Sequence, residues 1–323
     1  MLSARAPASS GLSARWFAGS GGGRPRGRAT AVRVYATSSD AKQVVITGGN
    51  TGIGFETAKA LSGKGMDVVI ACRNTVKAGA AVAKLKAENP SAMVSSMPLD
   101  LADLASVRDF SSAYLDSGRK LDVLINNAGV MACPEMATKD GFELQLGVNH
   151  LGHFALTNQL LPLLEDPSSS TRIINVSSTA HSFGTINFDD LMGRKGYQPW
   201  VAYGQSKLAN ILFTYELARR LPKDANCTVN TLHPGVVDTE LSRYLIADDP
   251  PFWQKPFTGL LKMFVKSPAE GAETSIYLAS SGSVEGITAK YWDNCETKTS
   301  SAISYDREVA KKLWTVSQEL VEV

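Results

Sequence analysis

From residue 42 onward the chain alternates short β-branched runs with amphipathic segments of helical length, and this alternation restricts the fold more than any other feature. KQVVITG precedes the helical TGIGFETAKALSGKG, MDVVIACRN precedes TVKAGAAVAKLKAEN, and AMVSSMPLD precedes LASVRDFSSAYLDSG. LDVLINNAG is followed by ELQLGVNHLGHFALTNQLLPLL, which reads as one continuous helix, and then by the strand run TRIINVSS. The helical WVAYGQSKLANILFTYELARRL and the strand run CTVNTLHPG come next, with ITAKYWD as a last strand and DREVAKKLWTVSQELVE as a closing helix. Strands alternating with helices specify an α/β fold with a doubly wound parallel sheet, covered by helices on both faces. No internal repeat or second linker interrupts the pattern, so residues 40–323 form one domain, and 44% hydrophobic content is enough for one large core.

The first strand runs into TGGNTGIG, which opens directly into the first helix. Glycine belongs where a backbone turns tightly and must approach a pyrophosphate, and the helix N-terminus behind it favours an anion. Gly48, Asn50, Thr51, Gly52, Ile53 and Gly54 are therefore candidate dinucleotide contacts, and the fold is read as a Rossmann fold. At the end of the second strand, ACRN carries Arg73 and no carboxylate. An acid there would bind the ribose 2′-hydroxyl of NAD, whereas arginine accommodates the 2′-phosphate, so NADP(H) is the expected cofactor. The competing reading is a surface charge just past a strand end.

Composition removes several other classes. The net charge is only +2, which gives no nucleic-acid footprint. Six arginines (5, 15, 24, 26, 28 and 33) and no acid precede Asp40, leaving 33 − 6 = 27 basic against 31 acidic residues, or −4, for the remainder. An Arg- and Ser-rich, acid-free leader has the composition of an organelle transit peptide, here residues 1–36. VRVYATSSD resembles plastid processing sites cut after Ala36, so the chloroplast is expected, with the mitochondrion as alternative and an unaddressed basic tail as the bland reading. The four cysteines (72, 133, 227, 295) are scattered without metal-ligand spacing, which points to reduced thiols. His150 and His153 lie three apart with no third ligand nearby and are read as structural, so no metal is expected. No apolar stretch reaches the roughly 20 residues needed to cross a membrane. Peripheral attachment to a membrane or envelope complex stays open, as does homo-oligomerisation.

Inside the long helical run, YGQSK puts Tyr203 and Lys207 four residues apart on one helix face. Two readings stand at this point. The tyrosine packs against the core beside a solvated lysine, or the cation lowers the phenol pKa from about 10 toward neutrality and equips it to exchange a proton at a carbonyl or hydroxyl carbon.

TGGNTGIG, NNAG (126–129), NVSS (175–178), YGQSK and HPG (233–235) occur in that order, and together they resemble the short-chain dehydrogenase/reductase family over residues 42–300. The resemblance implies that Tyr203 is the catalytic tyrosine and that Lys207 lowers its pKa and holds the nicotinamide ribose. It gives Ser178 the substrate oxygen and Asn149 a water in the proton path. It also implies adenine contacts from Asp100 and Leu101, a ribose-side loop at Asn127, Ala128 and Gly129, and carboxamide-side contacts around Pro234, Gly235 and Thr239. The hydride chemistry belongs to the nicotinamide, while the protein places the carbonyl and stabilises the charge that develops on its oxygen.

Tyr203 follows Ser178 by 203 − 178 = 25 positions, a longer gap than most members have, filled by TAHSFGTINFDDLMGRKGYQPWVA. That insertion, with ACRN, NHLGHF, YGQSKLAN and AKKLW, is similar to the retinol-dehydrogenase-like branch. The same branch holds a dehydrogenase attached to the chloroplast inner-envelope translocon, and the light-dependent protochlorophyllide reductases are its neighbours. An apolar carbonyl or alcohol substrate is implied, with protochlorophyllide as the alternative and NADP(H)-based redox sensing at an envelope import complex as the non-enzymatic one. Phe252, Trp253, Phe257, Leu260, Leu261, Met263 and Phe264, in the run 245–265, would form a small substrate lid, plain core or a membrane-facing patch.

Overall fold

A computed structural model describes residues 40–235, 237 and 266–322 of the chain; the leader, Thr239 and the apolar run 245–265 lie outside the described residues. Among the described residues, seven strands run parallel: β1 (Gln43–Thr47), β2 (Asp67–Cys72), β3 (Val94–Pro98), β4 (Val123–Asn126), β5 (Thr171–Val176), β6 (Cys227–Leu232) and β7 (Tyr291–Asp293). An eighth, β8 (Glu296–Lys298), pairs antiparallel with β7, and the order across the sheet is β3-β2-β1-β4-β5-β6-β7-β8.

The central strands β1, β2 and β4 are rich in buried apolar residues because both faces are covered. With a side-chain period of two, Val45, Val69, Leu124, Ile173 and Val229 enter one core, while Val44, Ile46, Val68, Ile70, Ile125 and Ile174 enter the other. Helices α3 (Leu104–Asp116), α5 (Gly152–Leu164), α6 (Pro199–Arg220) and α8 (Arg307–Val321) close the first core with Phe110, Phe154, Leu212 and Trp314. Helices α1 (Gly52–Gly63), α2 (Thr75–Glu88) and α7 (Pro268–Ser280) close the second with Phe55, Leu61, Leu85 and Leu278. Each such side chain stabilises the fold by about 1.5–3 kcal/mol relative to exposure.

The strand order reverses between β1 and β4, which opens a crevice at their carboxyl ends. Thr47 ties the two strand ends together: its Oγ1 accepts the amides of Asn127 and Ala128, both at 2.9 Å, and its carbonyl accepts Asn127 Nδ2 at 2.8 Å.

Two elements depart from the sequence expectation. The helix read from Glu143 is continuous, but it is not α-helical throughout: a short α4 (Leu144–Leu146) passes through a π-helical turn (Gly147–Leu151) into α5. Glycine flanks this turn where neighbours approach closely: a Cβ on Gly147 would lie 2.3 Å from Thr138 Cγ2, and one on Gly152 would lie 2.6 Å from Leu101 O. The ITAKYWD strand shrinks to three residues and continues as the β7–β8 hairpin, whose turn residues Asn294 (φ 51°) and Cys295 (φ 61°) are both left-handed. Asparagine suits that two-residue turn; cysteine does not announce it.

Candidate functional site

The carboxyl ends of β1 to β6 border one cleft of about 980 Å³, within the range of ligand sites. Its floor near β1 is the glycine loop. Gly48 and Gly52 have φ of 66° and 55°, and a Cβ on Gly54 would fall 2.4 Å from Gly48 O and 2.6 Å from Asn127 Nδ2. Only glycine lets α1 begin so close to the loop. Thr51 at its N-cap makes no side-chain capping bond, so the first-turn amides are not satisfied by that residue. An uncapped helix start behind a glycine cradle fits a pyrophosphate. Asn50, Thr51, Ile53, Arg73, Asp100, Leu101, Asn127, Ala128, Gly129, Pro234 and Gly235 line the same cleft. The structure thus gathers every predicted cofactor contact except Thr239, which lies outside the described residues. Lys77, missed in the sequence, joins Arg73 beside Asn74, the N-cap of α2.

At the other end of the cleft stand Ser178, Tyr203 and Lys207. Ser178 caps a short 3-10 helix (Thr179–Phe183), its Oγ accepting the Ala180 amide at 3.2 Å, and its hydroxyl also hydrogen-bonds Tyr203. Lys207 is buried, donates to Val176 O at 3.2 Å, and holds its ammonium 5.6 Å from the centre of the Tyr203 ring. Asn149 sits on the π-helical turn, a local form common at functional sites. Its carboxamide clamps Val130, accepting its amide at 2.8 Å and donating to its carbonyl at 2.9 Å. Gly129 makes this crowding feasible, since a Cβ there would meet Asn149 Oδ1 at 3.0 Å and Lys207 Nζ at 3.5 Å.

The expectation that Lys207 lowers the phenol pKa is not met by the protein alone. Burial pushes Tyr203 up to about 12, opposed by a hydrogen bond with Ser178. Burial also pushes Lys207 down to about 8, and its charge lies over the ring rather than against the hydroxyl. At neutral pH the site therefore holds a protonated phenol beside a mostly protonated lysine. That is the state required to give a proton to an alkoxide.

Several supporting residues carry no motif. His181 Nε2 must accept the Ser301 amide (3.1 Å), so its Nδ1–H donates to Ser178 O at 2.6 Å and holds the strand end. His153 is buried, and burial lowers its pKa to about 4. Because Thr47 Oγ1 already accepts two amides, its proton goes to His153 Nε2 (2.8 Å), leaving Nδ1–H for Asn149 O (3.1 Å). Gln205 of YGQSK holds the inserted segment by accepting from Asn187 N and donating to Leu191 O, both at 2.9 Å. Only side-chain partners distant in sequence reveal these roles.

The family model described as short chain dehydrogenase matches residues 42–250, and the chain belongs to the short-chain dehydrogenase/reductase family, a family of oxidoreductases that use a nicotinamide dinucleotide. Within it the chain falls in the retinol-dehydrogenase-like branch. It is 47% identical over 294 residues to human retinol dehydrogenase 14, covering 87% of this chain and 86% of that protein. Human retinol dehydrogenase 13 is 45% identical over 281 residues, covering 87% and 84%. Among solved structures, an uncharacterized protein from Mycobacterium paratuberculosis superposes with a TM-score of 0.70 at 38% identity, covering 87% of this chain and 94% of its own. The Pseudomonas aeruginosa RhlG/NADP active-site complex superposes with a TM-score of 0.61 at 28% identity, covering 77% and 93%.

Proposed function

We propose that this protein is an NADPH-dependent oxidoreductase acting on the carbonyl or alcohol carbon of an apolar substrate. The observation that carries the reading is the convergence of Ser178, Tyr203 and Lys207 at one end of a cleft whose other end is the glycine cradle. When bound, the dinucleotide supplies or accepts the hydride. Ser178, which hydrogen-bonds Tyr203 in the structure, turns its hydroxyl proton to the substrate oxygen and orients it. Tyr203 gives its proton to that oxygen as negative charge builds there, the Ser178 hydrogen bond eases its loss, and Lys207 places its ammonium 5.6 Å from the ring centre within the same site. Asn149 fixes the Gly129–Val130 backbone beside Lys207, which holds the proton-exchanging groups in register.

The substrate class follows from the mouth of the cleft. Met131, Met136, Phe183 and Trp200 line it, and Met136, Phe183 and Trp200 remain 50%, 56% and 46% exposed. Apolar surface at a cleft mouth is the mark of an apolar ligand. The names of the human relatives, retinol dehydrogenases, agree with an apolar alcohol or aldehyde.

Arg73 and Lys77 favour the 2′-phosphate, and the NADP complex of RhlG supports the same choice. NADPH is expected to bind at least about tenfold more tightly than NADH, a difference of roughly 1.4 kcal/mol by calorimetry. Arg73→Asp should narrow or reverse that preference; equal affinities in the unmodified protein would contradict it. The function itself is tested by incubating the protein with NADPH and a panel of apolar aldehydes, quinones and protochlorophyllide, in darkness and light. Dark, NADPH-dependent aldehyde reduction is the expected result. Light-dependent reduction of protochlorophyllide alone, or tight NADPH binding without any turnover, would displace this reading in favour of a photoreductase or a redox sensor.

A further inference from the structure

The loop from Val130 to Cys133 lies between the cofactor end of β4 and the catalytic helices, and it is fixed at three successive points. Val130 is clamped on both its amide and its carbonyl by Asn149. Ala132 adopts a left-handed conformation (φ 46°), uncommon for a residue other than glycine, and its amide donates to Gln145 Oε1 at 2.8 Å. The Cys133 carbonyl accepts the Tyr197 hydroxyl at 2.9 Å. Met131, between the clamped residues, lines the cleft.

The last two fastenings, at Ala132 and Cys133, are joined through one phenol. Gln145 is fully buried, and its Nε2 donates to Tyr197 Oη and to Pro199 O, both at 2.8 Å. A closed circuit therefore runs from the Ala132 amide through Gln145 and Tyr197 Oη to the Cys133 carbonyl. Glu143 holds Gln145 in place by accepting its amide (2.8 Å) and that of Leu146 (2.6 Å). Tyr197 itself belongs to the segment inserted between Ser178 and Tyr203, which Gln205 anchors to α6. The insertion thus reaches across to the wall of the substrate cleft.

We infer that Tyr197 is a positioning residue that sets substrate discrimination, because its hydroxyl fastens the loop that presents Met131 to the substrate. The inference rests on the apolar-substrate reading above. It gives the insertion a role, which is to hold a left-handed loop that has no glycine to relax it. Removing the hydroxyl frees the Cys133 carbonyl and leaves Gln145, the acceptor of the Ala132 amide, held through Nε2 by Pro199 O alone, so Met131 loses its defined position while the glycine cradle is untouched.

Tyr197→Phe keeps the ring and deletes every contact through Oη: the bonds with Gln145 Nε2 and Cys133 O and the longer ones with Glu143 Oε1 (3.4 Å) and Cys133 Sγ (3.9 Å). Amide exchange of Ala132 is expected to accelerate at least about tenfold in the variant, with residues 47–54 unchanged, since local opening governs exchange. Under saturating NADPH, the ratio of kcat/KM for a bulky against a short apolar aldehyde should change at least about fivefold, chiefly through KM. Met131→Ala should shift the same ratio without accelerating exchange at Ala132. Unchanged exchange in Tyr197→Phe overturns the clamp, and an unaltered ratio in Met131→Ala overturns the assignment to Met131. A lower thermal midpoint with an unaltered ratio in Tyr197→Phe would show that the residue serves stability alone. Exchange needs no turnover, so a protein inactive on every carbonyl would refute the substrate reading while the exchange result still decides the clamp.

Discussion

Replacing Tyr203 by phenylalanine is expected to cut carbonyl reduction by about 10²-fold or more while leaving NADPH affinity nearly unchanged. The variant keeps the ring, which is 4% exposed and meets Trp200 edge to face with centroids 6.0 Å apart, so packing is preserved and only the proton donor is lost. Because burial holds the phenol near 12, it stays protonated across the physiological range and is competent to donate. If Tyr203 served packing alone, turnover would stay within about twofold and any loss would surface as a lower thermal midpoint. Steady-state rates at saturating NADPH, read beside a melting curve, separate the two outcomes.

The second large effect is acid destabilisation by two buried histidines. Burial lowers His150 to about 3, helped by the nearby His153, while burial lowers His153 to about 4. Both titrate near 6.5 once unfolded, so between pH 6.5 and pH 4 the unfolded chain binds protons that the folded chain refuses. Stability from these groups is complete above about pH 6.5 and is lost as pH falls toward the folded values. Between pH 7 and pH 5 the pair should remove about 4 kcal/mol, at about 1.36 kcal/mol per unit per group. His181 and His233 are also lowered, chiefly by burial, and act with the same sign. Urea unfolding at the two pH values checks this: the double variant His150→Gln/His153→Gln should show a shallower dependence. An equal slope in the variant would mean that other groups dominate.

What the sequence made legible was local. A β-branched run announces a strand wherever both faces of a sheet are covered, so β1, β2, β4, β5 and β6 could be located from composition alone. Glycines 48 and 54 marked the cradle because backbone approach admits no side chain there, and Gly52 because its φ of 55° favours glycine. The site residues carried by motif were likewise readable: Ser178, Tyr203, Lys207 and the described cofactor contacts line one cleft, while Asn149 stands behind Val130 and Thr239 lies outside the described residues. The π-helical turn at Asn149 was not legible, since helical periodicity does not separate it from an α-helix and the close neighbours of its flanking glycines, Thr138 and Leu101, are not local. The same holds for His181, whose partner Ser301 lies 120 residues away. Tyr197, Gln145 and Ala132 form one circuit only after α4, the insertion and the 130–133 loop have been brought together. The phenol pKa was misjudged for a related reason: helical spacing predicts that Lys207 lies near Tyr203, but burial outweighs that proximity in the folded protein.

The most direct measurement is the fate of the hydride. NADPH deuterated at the transferable position is incubated with the best apolar aldehyde of the panel, and the alcohol is examined by mass spectrometry. One deuterium on the carbinol carbon is expected with the unmodified protein, at a rate lowered about 10²-fold or more in Tyr203→Phe. An alcohol without deuterium, no alcohol at all from a folded protein that binds NADPH, or equal rates in the two proteins would contradict the account.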